Sequence, residues 1–184
     1  MSNITKRAMA QSLKKMLLVK DLDKITITDI TNDCGINRQT FYYHFKDIYD
    51  LLEWIFANEV VEKIEKETTI ETWQENFKYV LNYMLKNKKF IIKTYNSLSR
   101  KTLLDFLFNQ YNTIFIEIVN DLSKNYNITK ENKFFIANFY KYGFAGIIEN
   151  WIVTEMKESP ESIINKLDVM ISGSFEEAVK KMST

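Results

Sequence analysis

The segment TITDITNDCGINRQTFYYHFK, residues 26–46, decides the fold of this chain. Its first part predicts a short helix, because Thr26 can serve as N-cap and Asp29 follows three residues later. Gly35 then supplies the left-handed conformation that commonly ends a helix. Asn37 is the predicted N-cap of a second short helix. Two short helices joined by a turn that contains glycine form a helix-turn-helix.

Amphipathic helices are predicted on both sides of this segment. Residues 5–20 carry apolar side chains at helical spacing, with Thr5 as the predicted N-cap. After the segment, Asp47 is the predicted cap of a long helix that continues through Ile64. Further helices are predicted at about 70–87, 88–96, 100–125, 129–157 (capped by Thr129) and from Ser159-Pro160 onward.

The composition favours an all-α protein. The chain has 184 residues but only four glycines and one proline, too few for the turns of a sandwich, a barrel or a doubly wound sheet. The mean hydropathy of -0.26 predicts no transmembrane segment, and the polar N-terminus lacks the apolar run of a secretion signal. We therefore expect a cytoplasmic protein with no membrane partner.

The chemistry available to the chain is limited by one cysteine and one histidine. These cannot make an intrachain disulfide or one of the usual zinc sites. Cys34 and His44 lie in different predicted helices, which makes cysteine-histidine catalysis improbable. The sequence therefore predicts no metal, no cofactor and no enzymatic activity, although a helical enzyme remains an alternative from another class.

Charge is distributed unevenly along the chain. Residues 1–46 hold eight basic and four acidic side chains, a net charge of +4, whereas the remaining residues carry -3. This asymmetry suggests that the N-terminal part contacts a polyanion. A chance fluctuation in surface charge is the alternative.

Several motifs of this region resemble the DNA-binding domain of the TetR family of bacterial regulators. They are Ile27-Thr28-Asp29-Ile30, Cys34-Gly35-Ile36, Thr40-Phe41-Tyr42-Tyr43-His44-Phe45-Lys46 and Leu51-Leu52. The resemblance implies a three-helix DNA-binding domain over residues 1–46 and a helical effector-binding and dimerisation domain over residues 47–184. Leu51-Leu52-Glu53-Trp54-Ile55-Phe56 and Trp73-Gln74 are further similar to regulators of dihydroxyacetone kinase operons.

The second helix of the helix-turn-helix is expected to read double-stranded DNA in the major groove. Arg38 and Gln39 are the candidate base readers, since a guanidinium pairs with guanine and a carboxamide with adenine. A solvated helix residue is the alternative for Gln39. Thr40 can contact a thymine methyl or a phosphate. The resemblance further implies backbone contacts from Tyr42, His44 and Lys46.

The first helix of the motif offers a phosphate site at its N-terminus. Thr26 and Thr28 lie where free amides and the helix dipole favour an anion. For Thr26, capping alone is an equally good interpretation. Three aromatic residues of the second helix and its end, Phe41, Tyr43 and Phe45, are more often part of a core than contacts to a ligand. Phe41 and Phe45 are assigned to packing among the three helices. One departure from the family is Ile48, where many members have a lysine.

Two more residue sets are predicted in the second domain. A helix near residue 140 is apolar around more than one face, which indicates burial between two subunits. The residues expected at this dimer interface are Phe135, Phe139, Gly143, Gly146, Ile147, Trp151, Ile171 and Phe175. The residues that could line an effector cavity, with core packing as the alternative, are Tyr79, Tyr83, Tyr95, Phe106, Tyr111 and Phe115.

The sequence thus predicts a homodimeric regulator on a palindromic operator, a repressor that a small-molecule effector releases from DNA. The alternative that the subgroup resemblance implies is an activator or coactivator of a dihydroxyacetone kinase operon, controlled through a protein partner.

Overall fold

The computed structural model describes residues 2–60, 69–97 and 100–183, apart from the side chains of Ser2 and Gln110. Helices make up its regular structure, which confirms the predicted all-α fold with an N-terminal helix-turn-helix. The helices are α1 Ser2–Leu17, α2 Ile27–Asp33, α3 Arg38–His44, α4 Ile48–Glu59, α5 Trp73–Lys86, α6 Lys88–Tyr95, α7 Arg100–Leu122, α8 Lys130–Val153, α9 Pro160–Ile171 and α10 Ser174–Lys181.

Side-chain caps fix the starts of half of these helices, and each was predicted. In every case the cap side chain accepts a hydrogen bond from the backbone N–H three residues later, which satisfies one of the free amides of the first turn. The confirmed caps are Thr26, Asn37, Asp47, Thr129 and Ser159. The prediction for Thr5 is wrong, because α1 begins three residues earlier and Thr5 lies inside it. The predicted continuation of α4 to Ile64 falls outside the described residues.

The chain divides into two compact units, of which the first comprises the described parts of residues 1–63 and 87–106. Its core is built from α1, α2, α3, α4 and α6, with Leu13, Phe41 and Leu52 fully buried. Lys14 of α1 pairs with Glu59 of α4 at 2.6 Å. The helix-turn-helix is therefore packed on a hydrophobic core that includes residues far along the sequence.

The second unit comprises the described parts of residues 64–86 and 107–184. Helices α5 and α9 are tied together at two points, where Gln74 donates to Asp168 at 2.6 Å and Lys78 pairs with Glu161 at 3.3 Å. Its core is aromatic. The contacting rings are Trp73, Phe77, Tyr111, Phe115, Tyr140, Phe144 and Phe175.

None of the described helices combines the length and the apolar character needed to cross a membrane.

The predicted boundary after Lys46 separates a DNA-binding domain from an effector-binding and dimerisation domain. The two compact units do not test this functional boundary, which stays a prediction.

Candidate nucleic-acid interface

The turn between α2 and α3 has the geometry that its sequence predicts. Gly35 adopts φ +64°, a left-handed conformation that side chains with a Cβ rarely take. The amide of Ile36 donates to the Thr31 carbonyl at 3.0 Å, and the amide of Gly35 donates to the Asn32 carbonyl at 3.2 Å. These bonds satisfy two of the last carbonyls of α2, and the chain reverses so that α3 begins at Arg38.

One side of α3 is anchored in the core. Phe41 has no exposed surface and Phe45, which caps the C-terminus of α3, is almost fully buried. The ring of Phe45 meets Trp54 of α4 edge-on, with 6.0 Å between ring centroids. The packing role predicted for Phe41 and Phe45 is what the structure shows. It leaves the opposite side of α3 facing outward.

The outward side of α3 carries the predicted base readers. Arg38 and Gln39 are exposed, and Tyr42 is 50% exposed. Thr40 is partly buried, and its hydroxyl donates to the Asn37 side chain at 3.0 Å. We call the exposed side chains of Arg38, Gln39, Tyr42 and Tyr43 the reading face.

Within the reading face, Arg38 and Tyr42 are in contact one helical turn apart. The guanidinium donates to the Tyr42 hydroxyl at 3.3 Å and lies 5.9 Å from its ring centroid. Such a pair at positions i and i+4 is weak at an exposed site, typically about 0.2–0.5 kcal/mol. The contact with Tyr42 orients the Arg38 guanidinium only weakly. A stronger bidentate contact with a guanine can therefore replace it.

The predicted phosphate-contacting residues at the C-terminal end of α3 lie close together. His44 is half-buried, and its ring meets Tyr43 edge-on at 4.9 Å between centroids. Lys46 is exposed, and its backbone amide donates to Asp50 at 2.9 Å. This bond fixes the backbone of Lys46 directly after α3. Ile48, where the family often has lysine, is the first residue of α4.

Thr26 and Thr28 are both exposed at the start of α2. The Thr26 hydroxyl accepts a bond from the Asp29 amide at 3.1 Å and donates to the Asp29 carboxylate at 3.0 Å. The Thr26 backbone amide also donates to that carboxylate at 2.9 Å, which lowers the pKa of Asp29 below its usual value. Thr26 is thus engaged as a cap, whereas the Thr28 side chain is the more available one for a phosphate.

The eight basic residues of the N-terminal 46 positions differ from one another in their ion pairing. Four lysines are paired with carboxylates: Lys14 with Glu59, Lys15 with Asp33, Lys20 with Asp29 and Lys24 with Asp21. Within the described part of the chain, Lys6, Arg7, Arg38 and Lys46 have no such pairing. The Lys6 ammonium lies 5.5 Å from the ring centroid of Phe45. Positive charge that is not neutralised locally is what a phosphate backbone recognises.

Sequence reasoning missed two residues of this surface. Tyr43 was grouped with residues that are usually buried, but it is 83% exposed and lies on the reading face. Lys6 of α1 is the other, since no motif indicates a role for it and the structure places its ammonium group over the ring of Phe45 at the end of α3. Helical spacing gives one signal for the exposure of Tyr43. Residues two positions apart point to nearly opposite sides of a helix, and Phe41 is buried.

The predicted effector residues do not form one cluster. Tyr95 and Phe106 lie in the first unit, where Phe106 stacks on Phe56 at 5.0 Å between centroids. Tyr111 and Phe115 are buried in the aromatic core of the second unit, with centroids 6.4 Å apart. Burial raises the pKa of the Tyr111 hydroxyl. Tyr79 and Tyr83 are half-buried on α5. For Tyr111 and Phe115, these contacts correspond to the alternative of core packing.

The predicted dimer residues separate into an exposed and a buried group. Phe135, Phe139, Gly143, Gly146 and Ile147 are all exposed on α8. Trp151, Ile171 and Phe175 are instead buried within their own chain. The Trp151 indole N–H donates to the Glu158 carbonyl at 2.8 Å, and the Phe175 ring stacks on Tyr140. These three residues support the second unit and do not lie on its surface.

No group of residues suited to hold a metal ion occurs in the part of the chain that the structure describes.

The fold and the α3 surface are those of a helical transcription regulator with an N-terminal helix-turn-helix. Residues 71–173 match the family model TetR_C_8, described as "Transcriptional regulator C-terminal region". Because this match covers more than half of the sequence, the chain belongs to the TetR family of transcriptional regulators. The prediction that it is not an enzyme is confirmed by this membership.

One relative agrees with the narrower resemblance, and a solved structure shares the fold. The HTH-type dhaKLM operon transcriptional activator DhaS of Lactococcus lactis subsp. lactis (strain IL1403) is 26% identical over 170 residues, covering 90% of each chain. A solved structure, "Dihydroxyacetone kinase operon activator DhaS", superposes with a TM-score of 0.71 at 24% identity and covers 98% of this chain and 99% of that chain. Because the sequence identity to the solved structure is only 24%, its similarity shows a common fold and nothing further.

Proposed function

We propose that the chain binds operator DNA as a homodimer, with α3 of each copy in the major groove. The observation that carries this proposal is the two-sided character of α3, whose buried Phe41 fixes the helix while Arg38 and Gln39 face outward. A base-reading helix needs such an anchor, because its side chains must hold their register against the groove. Thr28, Tyr42, His44 and Lys46 are the proposed contacts that fix that register on phosphates, with residues 1–46 as the DNA-binding domain.

The exposed apolar surface of α8 supports the dimer. Apart from Phe134, its residues recur at spacings of three, four and seven, which places them on one side of the helix. We call this surface the α8 face; it consists of Phe134, Phe135, Phe139, Tyr142, Gly143, Gly146 and Ile147. Such a concentration of exposed aromatic side chains is typical of a subunit interface. A twofold dimer would present two α3 helices to the two halves of a palindrome.

Activation is the proposed sign of regulation. The relative that covers 90% of the chain is called an activator of a dihydroxyacetone kinase operon. A similar operon is therefore the proposed target, in the cytoplasm where the DNA lies, with control through a protein partner. The repressor released by a small-molecule effector stays a prediction, and the sign of the transcriptional response separates the two.

The test begins with purified protein and the DNA upstream of its own gene, titrated against a random duplex at one near-physiological salt concentration. We expect preferential binding to one palindromic site with two proteins per duplex. Transcription from that promoter is then measured with increasing protein, and a rise supports activation whereas a fall supports repression. Equal affinity for the random duplex would contradict operator recognition by α3.

A further inference from the structure

The second unit contains a cavity of about 190 Å³ that none of the sequence motifs indicated. It lies where α5, the end of α7, the end of α9 and the start of α10 meet. The described residues that line it are Ile70, Trp73, Leu122, Asp168, Ile171, Ser172, Gly173, Phe175 and Glu176. Cavities that bind drug-sized molecules are larger, at roughly 300–1,000 Å³, so this one is suited to a smaller ligand.

The lining combines aromatic and acidic side chains. Trp73 and Phe175 are almost fully buried beneath the cavity, and Ile171 adds further apolar surface. Asp168 and Glu176 provide two carboxylates, and no Lys, Arg or His occurs among the described residues of the lining. An apolar and aromatic floor with carboxylates beside it is complementary to an organic cation.

The two carboxylates of the lining differ from neighbouring carboxylates of the second unit in having no lysine partner among the described residues. Glu158, Glu161 and Glu177 are each paired with a lysine. Within the described residues, Asp168 instead receives a bond from the neutral amide of Gln74 at 2.6 Å, and Glu176 forms no ion pair. The cavity therefore keeps a negative charge that no described side chain neutralises.

Helix ends add to this negative potential. Leu122 and Ile171 are the last residues of α7 and α9, and the last turn of neither helix contains a basic residue. The free carbonyls at a helix C-terminus carry a partial negative charge. Helix α10 begins at Ser174 with its positive end beside the cavity, but its first turn contains Glu176 and Glu177. The ends of α7 and α9 therefore add partial negative charge to that of the two carboxylates.

We infer that this cavity is a binding site for a small organic cation, an alkylammonium compound whose charged group lies between Asp168 and Glu176 and whose alkyl groups contact Trp73 and Phe175. As an input to transcription, the site rests on the proposed function. Binding to the cavity itself does not require DNA.

Choline is the probe for this test, and calorimetric titration of the full chain without DNA is the measurement. The matched probe is the uncharged isostere of choline, in which a tert-butyl group replaces the trimethylammonium group. We expect choline to bind with a millimolar or lower dissociation constant and the isostere about tenfold more weakly. Equal affinity for the two probes, or no binding of choline up to about 50 mM, would overturn the inference.

Three variants test the position of the site. Asp168→Asn and Glu176→Gln each remove one charge, and Asn can still accept the bond from Gln74. Both are expected to weaken choline binding by about fivefold or more. Glu177→Gln removes a charge from the same turn of α10 without altering the lining, and should change affinity less than twofold. An equal loss in all three variants would overturn the inference, because it would indicate only a long-range field.

Circular dichroism establishes that each variant is folded. Because operator binding is not part of the titration, failure of choline binding leaves the proposed function unaffected, and failure of operator binding leaves the cavity site unaffected.

Discussion

The Arg38 guanidinium donates a hydrogen bond to the hydroxyl of Tyr42, one turn further along α3, at 3.3 Å. A candidate base reader and a candidate phosphate contact are thus held together on the exposed side of the helix before any DNA is present. Because both side chains are exposed, their mutual attraction is small and easily exchanged for contacts with a nucleic acid. The contact between Arg38 and Tyr42 thus gives the reading face a defined shape, although its interaction energy is small.

Loss of the Arg38 side chain should reduce sequence preference. We expect Arg38→Ala to lose about 1–3 kcal/mol on the operator and much less on a random duplex, because a bidentate contact to one guanine disappears. Fluorescence anisotropy at one fixed salt concentration measures both affinities. Operators substituted at each position in turn identify the base pair at which the preference relaxes. Equal losses on operator and random DNA would contradict the role of Arg38 as a base reader.

Loss of the Lys46 charge should act on all sequences alike. Each phosphate contact contributes about 0.9 to the slope of log affinity against log salt, so Lys46→Ala should lower that slope by about one. Lys181→Ala is the matched control, because this lysine lies on α10 and is paired with Glu177. Titrations at several salt concentrations give both slopes. An unchanged slope for Lys46→Ala would remove this residue from the phosphate contacts.

Local hydrogen bonding explains which parts of the fold the sequence predicts well. The caps at Thr26, Asn37 and Asp47 each involve an amide three residues away, so four consecutive residues contain the whole interaction. The same holds for the turn at Gly35, whose left-handed conformation is a property of glycine itself. The position of α3, and with it most of the proposed DNA contacts, follows from these local signals.

Long-range packing explains what the sequence does not predict. Trp151 and Phe175 have the same apolar character as Phe139, yet they contact their own chain while Phe139 is 69% exposed. No pattern within one helix distinguishes these outcomes, because the neighbouring helix decides which side is covered. The cavity beside Trp73 depends on four separate segments for the same reason.

Charge on Asp29 should make the helix-turn-helix sensitive to acid. Hydrogen bonds from Thr26 lower the pKa of this carboxyl below 3.8, so the charged form is favoured in the folded state. Its stabilising effect is present above that value and is lost as the pH falls through the folded pKa. Asp29→Asn should therefore lower the melting temperature at neutral pH, with a difference from the parent that shrinks in strong acid.

Thermal unfolding followed by circular dichroism between neutral and strongly acidic pH measures that difference. Asp23→Asn serves as the control, because Asp23 lies in the short turn before α2 and outside the capping box. A difference between parent and Asp29→Asn that stays constant with pH would contradict the assignment of the effect to this carboxyl.

Substitution of Gly35 should lower the free energy of unfolding because of its backbone conformation alone. A Cβ at this position would meet no atom within 4 Å, so steric overlap with neighbours plays no part. Its φ of +64° nevertheless costs a residue with a Cβ about 1–2 kcal/mol. Gly35→Ala should lose roughly that amount in urea unfolding, and Gly35→Asn should lose less because asparagine tolerates the left-handed region. Equal losses would contradict this explanation.

Charge placed on the α8 face should separate the proposed dimer. Phe139 is exposed at the centre of this face, so Phe139→Glu leaves the monomer core intact but would place a carboxylate inside an apolar interface, where its desolvation is unfavourable. Analytical ultracentrifugation should show a monomer, and affinity for the full palindrome should fall towards that for a half-site. Val19→Glu is the matched control, since Val19 is equally apolar and exposed but lies in the first unit. If Phe139→Glu sediments as the parent protein does, the interface lies elsewhere and the α8 face requires a different partner.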